Sequence, residues 1–376
     1  MKKLKKSSIK SKFGEIDYPL FYTLILILAV GIVMVYSASS YYAIYYSPTN
    51  DSTYFLKKQA MYCIIGFIAM IITMSIDYHK YKKITLLAMI ATVILLLLVF
   101  AFPPNKGARR WIYIGPLSLQ PSEIAKYVVV LYLALAVEIK GQKIKKFFKG
   151  VVPFLAVAGI YAALILAENN LSIASVIMIT TFIILFAAGA TKFHLFGIVA
   201  PAMTSAALVL ALSASYRRDR MLNFLNPWKD PQNNGYQLIQ SFYALGSGGL
   251  TGLGLGQSRQ KTLYMPEPHN DFIFSIIGEE LGLIGCIFII TLFVFLVIRG
   301  ITIAMKAKDS YGMILAIGIT SIIAVQSLIN IAVVTGSMPV TGVPLPFISY
   351  GGTSLVINLT AMGILLNISR QREIQK

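Results

Sequence analysis

The chain has 376 residues, of which 57% are hydrophobic and 13% charged, with a formal net charge of +18. A soluble globular protein carries about 25% charged residues, so this composition excludes a water-soluble fold. Such a positive balance would suggest nucleic acid in a soluble protein. In a membrane protein it follows from lysine- and arginine-rich inner loops, and no nucleic-acid partner is expected.

Apolar runs of about 18–22 residues, enough to cross a bilayer, recur along the whole chain. They are placed at 18–37, 59–76, 84–102, 122–138, 150–167, 171–189, 195–213, 271–298, 311–334 and 350–369. The expectation is an all-α integral membrane protein with ten transmembrane helices. It forms one polytopic domain, 1–376, with a basic tail at 1–16 and a large loop at 214–270. The first run is long, lacks a small-residue cleavage site and is followed by further spans, so it reads as a retained helix.

An even number of spans puts both termini on one side. That side holds 21 of the 33 Lys and Arg residues and the opposite side 12, which places both termini in the cytoplasm. The two motif-bearing loops, 103–121 and 214–270, then face outward, and chemistry is expected there. The inner side shows no nucleotide-binding loop, so ATP hydrolysis is not expected. Cys63 and Cys286 lie in apolar runs at no metal-binding spacing, and no disulfide is expected.

In chain order, the first motif is "GARRWIYIGPLSLQPSEIAKY", 107–127. Arg109, Arg110 and Trp111 suit an interfacial anchor or a bidentate grip on phosphate or pyrophosphate. Gln120-Pro121-Ser122-Glu123 signals a helix start, with Ser122 a cap candidate and Glu123 near the positive helix end. Lys126 falls about one turn inside. It either snorkels to the interface or points inward at an anionic ligand or a carboxylate.

The loop 214–270 is too long for a simple connector and is expected to be a partly helical lid or binding segment. Its Arg217, Arg218 and Arg220 oppose the positive-inside trend. An anionic outer-face ligand such as a lipid phosphate explains them, and so does a loop salt-bridged through Asp219 and Asp230. "GSGGLTGLGLG", 246–256, fails the nucleotide-binding spacing because Thr251 stands where the third glycine belongs. A flexible turn or a close helix approach is the better reading.

In "YMPEPHNDFIFSIIGEELG", 264–282, Asp271 is placed at the lip of a membrane helix. It suits an N-cap or a partly desolvated general base. Glu279 and Glu280 lie about 12–14 Å further along the helix. Buried acids at that depth are costly and point to function or to a buried pairing, for which Lys126 is an available partner. Near the end, Gln326 and Asn330 share one helix face and suit interhelical hydrogen bonds. The Gly- and Pro-rich segment after them reads as broken, re-entrant backbone packed inside the protein.

"GARRWI" with "QPSEIAK", "GYQLIQSFYALGSGGLTGLGLGQSRQK" with "MPEPHNDFIFSIIGEELG", and "NIAVVTGSMPVTGVPLPFISYGGTS" together resemble the SEDS family (shape, elongation, division and sporulation), the FtsW/RodA/SpoVE group. The resemblance covers nearly the whole chain, and "GLGQSRQK" and the double arginine look more like the FtsW/SpoVE branch. It implies a peptidoglycan glycosyltransferase of the bacterial cytoplasmic membrane, polymerising lipid II on the outer face beside a monofunctional class B penicillin-binding protein.

By the same resemblance Asp271 is the essential carboxylate. Arg109, Arg110, Trp111, Glu123, Lys126, Arg217, Arg218, Gln257, Ser258, Lys261, His269, Glu279 and Glu280 are the substrate-binding candidates. The basic residues would offset charge on the leaving pyrophosphate, with a divalent cation, Mg or Mn, as a candidate helper. Grooves between the spans would hold the undecaprenyl tails among membrane lipids. The chain departs from the family pattern at "ENNLSIA", 168–174, where Asn169 replaces a proline and Ile173 a threonine. Two other readings stay open on the residues alone: a flippase carrying lipid II across the membrane, and a non-catalytic scaffold of the division machinery.

Overall fold

The computed structural model describes residues 14–104, 107–115, 117–213 and 215–371. Most of the basic tail, residues 1–13, lies outside this range. The described residues form twelve α-helices. These are α1 (Tyr18–Tyr46), α2 (Tyr54–Ser75), α3 (Tyr81–Leu98), α4 (Pro121–Lys140), α5 (Val152–Ala167) and α6 (Leu171–Ala187). They continue with α7 (Ala200–Ser213), α8 (Ser215–Leu225), α9 (Tyr236–Gly248), α10 (Ile273–Met305), α11 (Ser310–Val334) and α12 (Gly352–Arg370). One small antiparallel hairpin, β1 (Ile112–Ile114) and β2 (Leu117–Leu119), sits in the 103–121 loop. The hydropathy pattern did not reveal it.

Eight helical stretches among the described residues are long and apolar enough to cross a membrane. The chain is therefore an all-α, multi-pass membrane protein. α6 is apolar but only 17 residues long. α4 carries Glu123, Lys126, Glu138 and Lys140 and is packed among α3, α5, α6, α11 and α12. α11 and α12 are the most buried of these eight stretches, and α12 packs along α2 while α11 packs on α4, α6 and α10.

Local chemistry sets the helix starts. Asp17 caps α1 by accepting from the Leu20 amide at 3.1 Å, and it also receives the Arg299 guanidinium at 3.1 and 2.5 Å. Asn170 caps α6 through the Ile173 amide at 3.3 Å, and Asp309 caps α11 through the Gly312 amide at 2.8 Å. α4 starts with Pro121 at its first position after Gln120; Ser122 lies inside the helix and is not its cap. The Gly14 amide donates to the Arg370 carbonyl at 2.9 Å, and the Asp17 amide to Ser369 Oγ at 3.0 Å. The start of α1 and the end of α12 therefore meet at one end of the bundle.

α10 is broken. Gly282 adopts φ 67° and ψ −166° inside it, a left-handed conformation that favours glycine. The glycine-rich segment after α9 fills the break. The amides of Leu253 and Gly254 donate to the carbonyls of Glu279 and Glu280 at 2.9 and 3.0 Å. The amides of Leu283 and Ile284 donate to the carbonyls of Gly249 and Leu250 at 2.9 and 3.1 Å. Gly252 lies against Gly282, where a side chain would collide with the Glu280 carbonyl. The close approach expected of 246–256 is thus an exchange of backbone hydrogen bonds with a broken helix. It satisfies groups that could not be left open at membrane depth. An apolar cavity of about 250 Å³, lined by Ala29, Val30, Val33, Met34, Leu255 and Leu281, adjoins this region.

Candidate active site

Asp271 sits just ahead of α10. The cap position of that helix is Phe272, and no side chain caps it, so the N-cap role considered for Asp271 is not the one it fills. Its backbone carbonyl accepts from Asn330 Nδ2 at 2.7 Å, and the same nitrogen reaches the Val343 carbonyl at 2.8 Å. One amide on α11 therefore ties the aspartate to the irregular segment after α11. That segment brings Gly342, at φ 72°, beside the carboxylate; a Cβ there would lie 3.5 Å from Asp271 Oδ2. Residues 343–349 are largely buried without regular structure, as the broken-segment reading expected.

His269 anchors the other side of the stretch. It is buried among Tyr42, Phe55 and Tyr350, with ring centroids 5.3, 4.2 and 5.6 Å away. Its carbonyl accepts from the Tyr350 amide at 2.9 Å. His269, two positions before Asp271, is thus gripped from α1, α2 and the segment before α12, which anchors the stretch that carries the carboxylate.

The arginine pair follows the α3 end. Arg109 is exposed and donates to the Phe100 carbonyl at 2.9 Å. Arg110 donates to the carbonyls of Glu168, at 3.5 Å, and Asn169, and Trp111 is half-buried beside them. Ser172, in the first turn of α6, donates to the Thr341 carbonyl at 2.5 Å. The chain of contacts therefore runs from Arg110 through the 168–172 turn to Thr341, whose neighbour Gly342 lies beside Asp271. Asn169 in that turn has φ 62°. Proline cannot take that angle, so the asparagine at this position suits the turn that this chain makes.

Glu123 and Lys126 are both buried and bond each other at 2.9 Å across one turn of α4. The partnership suggested between Lys126 and Glu279 or Glu280 is replaced by this local one, because residues three apart share a helix face. Glu280 pairs with Lys261 at 2.7 Å and accepts from Ser37 Oγ at 2.7 Å and from the Ser258 amide at 3.3 Å. Glu279 accepts from the Arg259 and Gln260 amides at 2.9 and 3.3 Å and from the Ser258 hydroxyl. The two acids thus grip residues 258–261. Gln257, just outside, is exposed.

Arg218 is exposed on α8; the side chain of Arg217 lies outside the described residues. Asn330 was legible as a hydrogen-bonding residue, though its link to Asp271 was not. Gln326, one turn deeper, is buried with neither amide atom hydrogen-bonded among the described residues. Cys63 and Cys286 are free thiols. Among the described residues no three His, Cys, Asp or Glu side chains gather as a metal site would require.

The sequence pattern of the FtsW/RodA/SpoVE cell cycle proteins matches residues 18–374. The chain belongs to this family. It is 43% identical to a probable peptidoglycan glycosyltransferase FtsW of Geobacter metallireducens, over 92% of this chain and 93% of that protein. It is 45% identical to stage V sporulation protein E of Bacillus subtilis, over 92% of this chain and 94% of that one. Among solved structures it resembles a chain of a peptidoglycan synthase complex described as coordinating polymerization and crosslinking. That likeness has a TM-score of 0.79, 28% identity, and coverage of 96% of this chain and 99% of the other. The rod shape determining protein RodA of Thermus thermophilus matches with a TM-score of 0.71, 25% identity, and coverage of 96% and 98%.

Proposed function

We propose that the chain is a peptidoglycan glycosyltransferase that polymerises lipid II on the outer face of the bacterial cytoplasmic membrane. The observation that carries this is the fixed setting of Asp271: at the mouth of a membrane helix, its carbonyl tied to Asn330 and its carboxylate against Gly342. Family membership over residues 18–374 supports the reading.

Asp271 takes the proton from the 4-hydroxyl of the acceptor sugar. The hydroxyl oxygen then bonds to the anomeric carbon of the donor as the bond to the pyrophosphate oxygen breaks. The bonding pair leaves with undecaprenyl pyrophosphate, and one displacement inverts the α-linked donor to a β-linked product. General-base help of this kind is worth about 10²–10⁴-fold. Arg109 and Arg110, with Lys126, Arg217 and Arg218 as further candidates, offset the charge of the leaving group. A divalent cation, Mg or Mn, bound with the pyrophosphate would share in offsetting that charge.

In this reading α4 and α6 join the eight helices of sufficient length and hydropathy as ten spans, with both termini in the cytoplasm and 214–270 outside. The meeting of Gly14 with Arg370 supports the two ends of the bundle lying on one side, and the 21 to 12 split of Lys and Arg supports the cytoplasm as that side. A class B penicillin-binding protein is the partner that would crosslink the strands. The partnered state of Glu279, Glu280 and Lys126 favours a polymerase over a lipid II flippase, whose path would need open polar groups.

Purified Asp271→Asn protein is expected to fold normally and to make at least about 10²-fold less glycan from lipid II, measured by gel analysis of the product with the cognate transpeptidase present. Wild-type synthesis by this variant would remove Asp271 as the base.

A further inference from the structure

The apolar cavity beside the break in α10 has no part in the mechanism above. α1 supplies Ala29, Val30, Val33 and Met34 to its walls, α10 supplies Leu281, and the glycine-rich segment supplies Leu255. Every lining side chain is apolar. Val33 and Leu255 are exposed, so the cavity is a groove open to hydrocarbon between the two helices. Its depth follows from helix geometry. The ion pair of Arg299 with Asp17 marks where α1 and α10 leave the hydrocarbon, because charges sit at the interface. At 1.5 Å per residue, Ala29 to Met34 lie about 18–26 Å along α1 from that pair, and Leu281 about 27 Å along α10. The hydrocarbon core is about 30 Å thick. The groove therefore occupies the far half of the bilayer, and its far end reaches the head groups. The orientation proposed above makes that half the outer leaflet.

A polar layer roofs this end. One turn beyond Val33, the Ser37 hydroxyl donates to Glu280 at 2.7 Å, and Lys261 Nζ reaches Ser37 Oγ at 3.0 Å and Glu280 at 2.7 Å. Arg259, two residues before Lys261, is held at the same level by its amide, which donates to Glu279 at 2.9 Å. Its guanidinium is exposed and makes no hydrogen bond or ion pair among the described residues. We propose that the groove binds one acyl chain of an anionic phospholipid, with the lipid phosphate on Arg259. An apolar cavity of about 150 Å³ admits a benzene ring, so one of about 250 Å³ takes a longer segment of chain. A guanidinium fork matches phosphate oxygens, and Lys261 beside it is already committed to Glu280. The position favours a bilayer lipid over a polyprenyl substrate. Leu281 lies about 15 Å along α10 from Asp271 and faces α1, whereas Asn330 and the segment after α11 border Asp271. The lipid would touch both Leu255 and Leu281 and so brace the glycine-rich segment against the break at Gly282.

The test uses the full chain in detergent micelles, where the leaflet has no bearing. Native mass spectrometry counts retained lipid, and the melting temperature reads the bracing, as dioleoyl phosphatidylglycerol, dioleoyl phosphatidylcholine or undecaprenyl phosphate is added. The wild type is expected to retain one phosphatidylglycerol, to melt higher with it, and to prefer it to the other two. Arg259→Gln should weaken phosphatidylglycerol binding by about tenfold and abolish the preference over phosphatidylcholine. Ala29→Phe fills the groove and should abolish retention; should that variant fail to accumulate, Val33→Phe decides in the same way. Unchanged binding by Arg259→Gln overturns the proposal, as does full retention by the filled groove or a preference for undecaprenyl phosphate. Binding needs no turnover, so a failure of the Asp271 assignment would leave each result intact.

Discussion

Glu280 and Glu168 are both fully buried acids, and the protein treats them in opposite ways. Glu280 is surrounded: Lys261, Ser37 and the Ser258 amide all donate to it. Glu168 has a guanidinium beside it but no donor on either oxygen among the described residues. Glu280 holds a loop onto a broken helix, so its charge is already committed. Glu168 makes no hydrogen bond through its carboxyl among the described residues, so its ionisation remains responsive. A buried carboxyl becomes a structural pin when donors surround it and a sensor of charge when they do not.

The contrast has measurable consequences. The largest is expected for Glu280→Ala, which leaves the Lys261 ammonium buried without its partner. Stability should drop by about 3–5 kcal/mol, read as a lowered melting temperature or loss of monodisperse protein in detergent. Stability like that of the wild type would mean that the pair is not a pin. Next is Gly252→Val, which meets the Glu280 carbonyl and must hold φ 82°. Strain of about 1–3 kcal/mol, plus disturbed hydrogen bonds to α10, should loosen this loop. Hydrogen exchange at Leu253 and Gly254 is expected to speed up, and unchanged protection would count against the docking.

The smallest effect has the opposite sign. The folded carboxyl of Glu168 is raised to about 8 from 4.5. Between those values the folded chain keeps a proton that the unfolded chain has lost, so stability falls as pH rises through that window. Glu168→Gln removes the deficit. It should leave the melting temperature nearly unchanged near about pH 4 and raise stability by on the order of 1–3 kcal/mol near about pH 8. A gain that does not depend on pH would show that packing, and not ionisation, separates the two side chains.

Much of the fold could be read directly from residues 18–369. Apolar runs of bilayer length mark helices because a lipid-exposed backbone must satisfy its own hydrogen bonds, and the helices of the structure fall close to the runs expected. The loop 214–270 proves partly helical, and the segment before α12 is irregular and buried. The break at Gly282 was not legible: a glycine in an apolar run has the same composition whether the helix continues or opens. The link from Asn330 to the Asp271 carbonyl was equally hidden, because nothing in a sequence says which distant carbonyl an amide will meet.

The sequence by itself determined that this is a multi-pass helical membrane protein, and the order of its motifs pointed to the family. It also singled out Asp271. Local composition decides these things, through hydropathy, charge placement and the chemistry of individual side chains. Only the tertiary structure decided which acids are occupied. It paired Lys126 with Glu123 and Glu280 with Lys261, and it set the glycine loop into the break of α10. It left Glu168 beside Arg110 without a donor among the described residues. Partner choice among buried charges depends on distances across helices, which spacing along one chain does not encode.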